Sequence, residues 1–247
     1  MTSDYRNVSA PARHDLPLRC RCSRVRGVAS EVAPHAVFRL VCYCQDCQAF
    51  ARFLERPDVL DAAGGTEIFQ MPTGRVKLTA GVDALRCLRF SNKVFRWYTD
   101  CCRTPIGNTA GPRFPVVGLI HSFISHEADG RSRDEVLGPP LCRIYERSAI
   151  GPLPPNAPAP PSLSIFALRA ARILGWWLRG LGRPTPFFDD DTNAPLCVPR
   201  VLTPSERAAL FEQHVGRCKT PALISRTRPA ARASCARRTC ATSPWPR

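Results

Sequence analysis

Cys42-Tyr43-Cys44-Gln45-Asp46-Cys47 places three thiols within six residues. The stretch stands between an apolar, strand-like run at 37–41 and a helix-like run at 48–55. Cys42 and Cys44 are two apart, so on a strand both side chains leave the same face. Cys44 and Cys47 form a Cys-x-x-Cys knuckle, in which one turn presents two sulfurs to one ion. Three thiolates suit a soft divalent ion such as zinc and leave one tetrahedral position open, as a catalytic zinc site does. The alternative is a structural site whose fourth ligand comes from far away in the chain. Spacing alone leaves both open.

Working outward, the chain has 247 residues, enough for one sizeable domain with extensions or for two small ones. Its hydrophobic content of 44% is sufficient for a core. No run of about 18 apolar residues suggests a spanning helix, and residues 1–15 lack the apolar segment of a signal peptide. A cytoplasmic protein is therefore expected. Of 13 cysteines, seven fall in tight groups: Cys20/Cys22, Cys42/Cys44/Cys47 and Cys101/Cys102. In a reducing compartment such groups read as metal ligands rather than disulfides. Cys87 and Cys142 stand alone in apolar surroundings and read as small buried hydrophobes.

The net charge of +15 invites a nucleic-acid reading, but its distribution argues against one. Residues 216–247 hold eight basic residues and no acidic one, so this tail alone supplies +8. Aromatic residues do not interleave with its arginines, so no stacking platform for bases is indicated. The tail lacks periodicity and reads as disordered, and its Cys218, Cys235 and Cys240 are too isolated to be ligands.

The first half reads as strands. Residues 1–15 form a loose arm. Residues 18–28 predict a strand carrying Cys20 and Cys22 on one face, and 37–44 predict a second. Residues 46–55 predict a helix with Ala49, Phe50, Phe53 and Leu54 on one side, ended by Pro57. Short strands are expected at 66–71, 76–79, 85–90, 94–98 and 116–123, the last containing His121 as a satisfied histidine rather than a ligand. Thr104-Pro105-Ile106-Gly107-Asn108 reads as a turn. The zinc-binding domain is taken as 16–146.

In 151–161 six of eleven residues are proline, which predicts a semi-rigid linker, placed at 147–162. Residues 163–181 then read as an amphipathic helix that opens a helical extension over 163–215. Arg169, Arg172, Arg179 and Arg183 share one side of it, and Phe166, Ile173, Leu174, Trp177 and Leu181 the other. The apolar side is expected to pack on the β domain with the arginines in water. Peripheral contact of 163–183 with an anionic membrane is the alternative. Pro186-Phe187-Phe188-Asp189 is an apolar hook. Thr203-Pro204-Ser205-Glu206 opens a helix to about residue 214, with Thr203 as N-cap and Glu206 closing a capping box.

Three stretches together carry a family resemblance: Leu18-Arg19-Cys20-Arg21-Cys22, Cys42-Tyr43-Cys44-Gln45-Asp46-Cys47, and Trp97-Tyr98-Thr99-Asp100-Cys101-Cys102-Arg103-Thr104-Pro105. In this order they resemble the glutathione-dependent formaldehyde-activating (GFA-like) enzyme family, whose domain is shared with centromere protein V. The likeness covers about 16–123, and the second half resembles an extension found in a bacterial branch. It implies a mainly β, zinc-stapled, β-sandwich-like domain with a short helical C-terminal extension. In the family the first pair and a late Cys-x-x-Cys hold a structural zinc; the resemblance carries Cys20 and Cys22, with Cys102, to that site, which is expected to hold three cysteines and another ligand or no metal, and it implies a catalytic zinc on Cys42, Cys44 and Cys47. Three positions depart from the family pattern. The late pair is vicinal, with Thr99 where the family has its first cysteine, Cys102 matching the second by the Thr104-Pro105 that follows, and Cys101 beside it. Tyr43 replaces a histidine, and Gln48 replaces an arginine.

The implied activity is that of a carbon–sulfur lyase acting on an adduct of a small thiol, such as glutathione, with a small aldehyde. Glutathione is anionic at both ends, so Arg52, Arg96 and Arg103 are candidate anchors. The competing reading is a zinc-stabilised binding module for an anionic partner, without catalysis. A free coordination position favours the enzyme, and a fourth protein ligand favours the module.

Overall fold

The computed structural model describes residues 13–91, 93–125 and 132–212. The readings made for most of the N-terminal arm, for the last residues of the final helix and for the basic tail lie outside the described residues. The architecture is mainly β. Strands β1 (His14–Arg19), β2 (Arg26–Val32) and β5 (Val76–Ala80) form an antiparallel sheet in the order β1-β2-β5. The other sheet has eight strands. Its order is β10 (Cys142–Ile144), β3 (Phe38–Cys42), β4 (Thr66–Pro72), β9 (Val116–Ile120), β8 (Pro105–Thr109), β7 (Phe95–Thr99), β6 (Leu85–Arg89) and β11 (Arg200–Val201). The short edge strands β10 and β11 pair in parallel and the inner ones antiparallel.

Side-chain alternation gives the large sheet two apolar faces. One meets the small sheet: Leu16, Leu18, Ala29 and Val76 pack in one core with Phe69, Leu85, Trp97, Ile106, Val117 and Leu119. The hook completes this core, with Phe187 and Phe188 lying 5.1 and 5.4 Å from the Trp97 ring. Full burial of two such rings contributes on the order of 1.5–3 kcal/mol each. The opposite face is covered by helices α1 (Gln45–Phe53), α3 (Leu163–Leu178) and α4 (Pro204–Glu212). The remaining helix, α2 (Arg133–Leu137), adds Val136 and Leu137 to the inter-sheet core. Among the described residues no helix is long and apolar enough to cross a membrane.

The structure corrects several local readings. Residues 18–28 are not one strand: β1 ends at Arg19, and Cys20 and Cys22 lie in the turn to β2, where Ser23 takes a left-handed φ of 62°. The second strand ends at Cys42, so Cys44 is a helix cap rather than a strand residue. Residues 105–109 are strand β8 instead of a turn. Gly107 there serves close packing, because a Cβ would meet the Gly118 carbonyl at 2.7 Å, and Pro105 sits at the first strand position, where a missing N–H is tolerated. His121 lies just past β9 in a 3-10 turn, with Nδ1 3.4 Å from the Glu67 carbonyl oxygen, and burial lowers its pKa.

The largest correction concerns α3, which turns Arg169 and Arg172 inward and leaves Arg179 exposed. Arg169 donates from Nε to Gln70 Oε1 at 2.8 Å, and Arg172 donates to the Val37 carbonyl. Trp176 is buried beside them, while Phe166, Leu174, Trp177 and Leu178 face outward. The Gln70 side chain on the inner strand β4 and the Val37 carbonyl just before β3 offer acceptors, and the arginine stems reach them while covering apolar surface. The cap of α4 forms as expected, with Thr203 Oγ1 accepting from the Glu206 amide at 3.2 Å and Glu206 Oε2 accepting from the Thr203 amide at 2.8 Å.

Candidate metal centres

Two turns from different sheets meet at the first group of thiols. The β1–β2 turn brings Cys20 and Cys22, and the β7–β8 turn brings Cys101 and Cys102. All four sulfurs lie within 4.8 Å of one another. Sγ of Cys101 is 3.4 Å from that of Cys22, 3.8 Å from Cys20 and 3.9 Å from Cys102, and Cys20 and Cys22 are 3.6 Å apart. A tetrahedral ion with Zn–S bonds of about 2.3 Å needs sulfurs about 3.8 Å apart. The vicinal pair can share one ion because it sits in a turn, with Arg103 at a left-handed φ of 53°, and not on a strand. Thr99 stands behind as a hydrogen-bond partner of Cys102 at 3.5 Å. Burial opposes ionisation of Cys102, but the hydroxyls of Thr104 and Thr99 and the Cys22 backbone and thiol bring its pKa down to about 6. Burial and its thiol neighbours push Cys101 up to about 12.

The second group is built at the junction of β3 and α1. Cys42 is the last residue of β3 and faces the helix-covered side of the sheet with Phe38 and Leu40. Cys44 is the N-cap of α1, and its Sγ accepts from the Cys47 amide at 3.4 Å. Cys47 comes round on the first turn, so that its sulfur lies 3.8 Å from that of Cys42. All three sulfurs lie within 4.8 Å of one another, and among the described residues no histidine, aspartate, glutamate or further cysteine joins them. Cys42 and Cys47 are buried, and Cys44 is partly exposed. All ten described cysteines are free thiols, so both groups are available to a metal ion.

A buried cation accompanies the triplet. Arg96, on β7, lies with one terminal nitrogen 3.9 Å from the Cys47 sulfur and 3.3 Å from Asn108 Oδ1, and holds Asp46 with the other at 3.1 Å. It also stacks near the rings of Phe50 and Phe90. Hydrogen bonds from Cys42 and Cys44, joined by the charge of Arg96, hold Cys47 well below the usual thiol range. Bonds with Cys44 and Cys47, together with burial, raise Cys42; the bond with Cys42 lowers Cys44, but Cys47 and burial outweigh it and push Cys44 up to about 12. The triplet is thus prepared to receive positive charge.

The structure brings all seven cysteines of the sequence reading into two clusters and disperses the three arginines. Arg52 is spent on the Leu210 carbonyl and Gln48 Oε1, and Arg103 pairs with Glu55. Arg96 is a partner of Cys47, a role the sequence reading missed; the available signal was a charged residue between Phe95 and Trp97 on an apolar strand. Gln48 is fully buried and donates to the carbonyls of Tyr43 and Ser148, and the Tyr43 hydroxyl donates to Asp61. These two departures from the family pattern act as ties within the fold. A groove of about 540 Å³ lined by Phe38, Leu40, Cys142, Ile144, Arg143 and Glu146 runs along the strand that leads to the triplet, and none of the three cysteines lines it. Cys142 and Cys87 are buried, as expected of small apolar residues.

A search of curated proteins finds no match. Residues 13–195, which include both cysteine groups and α3, match the model of a family of unknown function, DUF6151, and with well over half of its length matched the chain belongs to that family.

Proposed function

We propose that the protein is a zinc-dependent enzyme of the carbon–sulfur lyase type, acting on the adduct of a small thiol with a small aldehyde in the cytoplasm, and that it resembles the GFA-like enzymes. One observation carries this reading. Two thiol groups of the same chain differ in completeness: four sulfurs in the first and three in the second, with no fourth ligand among the described residues. The first has the composition of a closed structural zinc site and the second that of an open one. The free thiols agree with a reducing compartment.

Cys42, Cys44 and Cys47 would hold the zinc, which would supply a Lewis acid to lower the pKa of a thiol brought to the fourth position. The residues around it do the rest. Three thiolates over-neutralise a divalent ion, and Arg96 offsets the surplus charge. Asp46 and Asn108 hold that guanidinium in place. In the addition direction the substrate sulfur bonds to the aldehyde carbon, the carbonyl π bond breaks, and the oxygen takes up the proton that the thiol gave. The reverse releases both molecules, and no redox partner is needed.

The test loads the protein with cobalt in place of zinc and adds glutathione. The sulfur-to-cobalt charge-transfer bands should strengthen as a fourth thiolate joins the triplet. Exchange between formaldehyde, glutathione and S-hydroxymethylglutathione, followed by NMR, should be accelerated by the zinc protein and lost in Cys44→Ala. Unchanged bands and no acceleration across a panel of thiols would leave the binding-module reading in its place.

A further inference from the structure

The outward stripe of α3 is apolar from end to end. Leu163, Phe166, Ala170, Leu174, Trp177 and Leu178 follow one another at steps of three, four or one, and all are exposed, Trp177 at 62% and Leu163 at 88%. Such a stripe is contiguous over four turns, and soluble surfaces seldom leave one of that length uncovered without a partner. Phe114, beside the helix and 39% exposed, extends it. The shallow hollow along the stripe is lined by Arg113 and Arg169 and by no acidic residue. Arg113 and Arg179 flank the stripe, and neither forms an ion pair among the described residues.

The charge decides the occupant. A second copy of the chain seated on this stripe would bring two sets of flanking arginines together with no carboxylate between them. The chain's own residues 216–247 carry eight basic residues and no acidic one, so they too are repelled. A surface of anionic lipid satisfies both features, since it accepts apolar and aromatic side chains at the acyl boundary and attracts arginine at the headgroups. We propose that α3 docks the protein on an anionic lipid membrane, with Phe166, Leu174 and Trp177 inserted and Arg113 and Arg179 at the headgroups. This docking is independent of the activity proposed above.

The experiment uses the full-length protein and vesicles of phosphatidylcholine, alone or mixed in equal parts with phosphatidylglycerol. The protein should sediment with the mixed vesicles, remain in solution with phosphatidylcholine alone, and be partly released by high salt. Trp177 emission should shift to the blue on binding, and Trp177→Phe should keep the sedimentation and lose that shift. The double variant Leu174→Glu/Trp177→Glu should lower the partition coefficient by at least about tenfold. Both positions are solvent-exposed, so zinc content and circular dichroism should be unchanged; should that variant fail to fold, Arg113→Glu/Arg179→Glu gives the same test through charge. Full sedimentation of the stripe variant would mean that the basic tail alone binds, and would overturn the proposal. So would a lipid-free dimer that Leu174→Glu dissociates, or no sedimentation at all.

Discussion

Arg96 touches the sulfur of Cys47 at 3.9 Å with one terminal nitrogen and holds Asp46, the preceding residue, at 3.1 Å with the other. Burial works against its charge, but Cys47 and Asp46 outweigh that cost and keep the guanidinium firmly protonated. The pair joins β7 to the first turn of α1. It places a permanent cation against a cluster whose ligands must be thiolates to bind metal.

Replacing Arg96 by Met should therefore weaken zinc binding at the triplet by about tenfold to a hundredfold, the usual cost of losing a partner of a metal ligand. Arg96→Lys should recover part of the loss. Competition with a chromophoric chelator resolves the two sites, and the four-thiol group serves as the internal reference. Equal weakening at both sites would show a general folding defect instead.

The four-thiol group joins a turn of the small sheet to a turn of the large one, so a metal ion bound there would contribute folding energy directly. Cys22→Ala should lose one zinc equivalent and lower the melting temperature by more than about 5 °C. Cys44→Ala should abolish thiol–aldehyde exchange at a smaller cost in stability, because β3 and α1 also hold the triplet's backbone. Cys101, with three thiol neighbours, should matter as much as Cys102, its partner in the turn. Thermal unfolding with metal analysis of the four variants checks this. A neutral Cys22→Ala beside a severely destabilised Cys44→Ala would reverse the two roles.

Glu67 supplies a pH dependence that is separate from the thiols. Burial raises its pKa, but Arg39 at 2.7 Å and Arg133 at 3.0 Å outweigh this and hold it below the ordinary value of 4.5. A carboxylate with a depressed folded pKa contributes stability that is complete above the unfolded value and is lost as pH falls through the folded one. Glu67→Gln should flatten the acid limb of the stability curve below about pH 4.5. At pH 7 it should cost about 3 kcal/mol, since Arg39 is nearly fully buried and keeps only Asp134 and the Gly138 carbonyl. Urea unfolding at a series of pH values measures both effects.

The inward seating of Arg169 and Arg172 predicts an unusual order of sensitivities along α3. Arg172→Ala removes a charged donor from the Val37 carbonyl and should destabilise by about 1.5–3 kcal/mol. Leu178→Ala, on the exposed stripe, should stay within about 0.5 kcal/mol. The opposite order would return the helix to the conventional orientation with its arginines in water.

The ligand triplet, the helix after it, the short strands and the capping box at Thr203 were legible in the sequence because each depends on contacts only a few residues apart. A strand end, one intervening residue and a first helical turn bring Cys42, Cys44 and Cys47 together whatever the rest of the chain does. The tertiary structure alone decided the rest. Completion of the four-thiol group needs the turn at Cys20 to meet a turn 81 residues later, and spacing within either turn cannot report that meeting. Pro105 and Gly107 have the composition of a turn, yet they form a strand because β7 and β9 pair with it on either side, and the glycine makes room for the Gly118 carbonyl. The orientation of α3 was settled by acceptors far away in the chain, the Val37 carbonyl just before β3 and the Gln70 side chain on β4. Arg96, read as a substrate anchor, became the partner of Cys47 because antiparallel pairing of β7 with β8 places it next to Asn108 and under α1. Helical periodicity shows that two unlike faces exist, but only the neighbouring surface determines which one is turned inward.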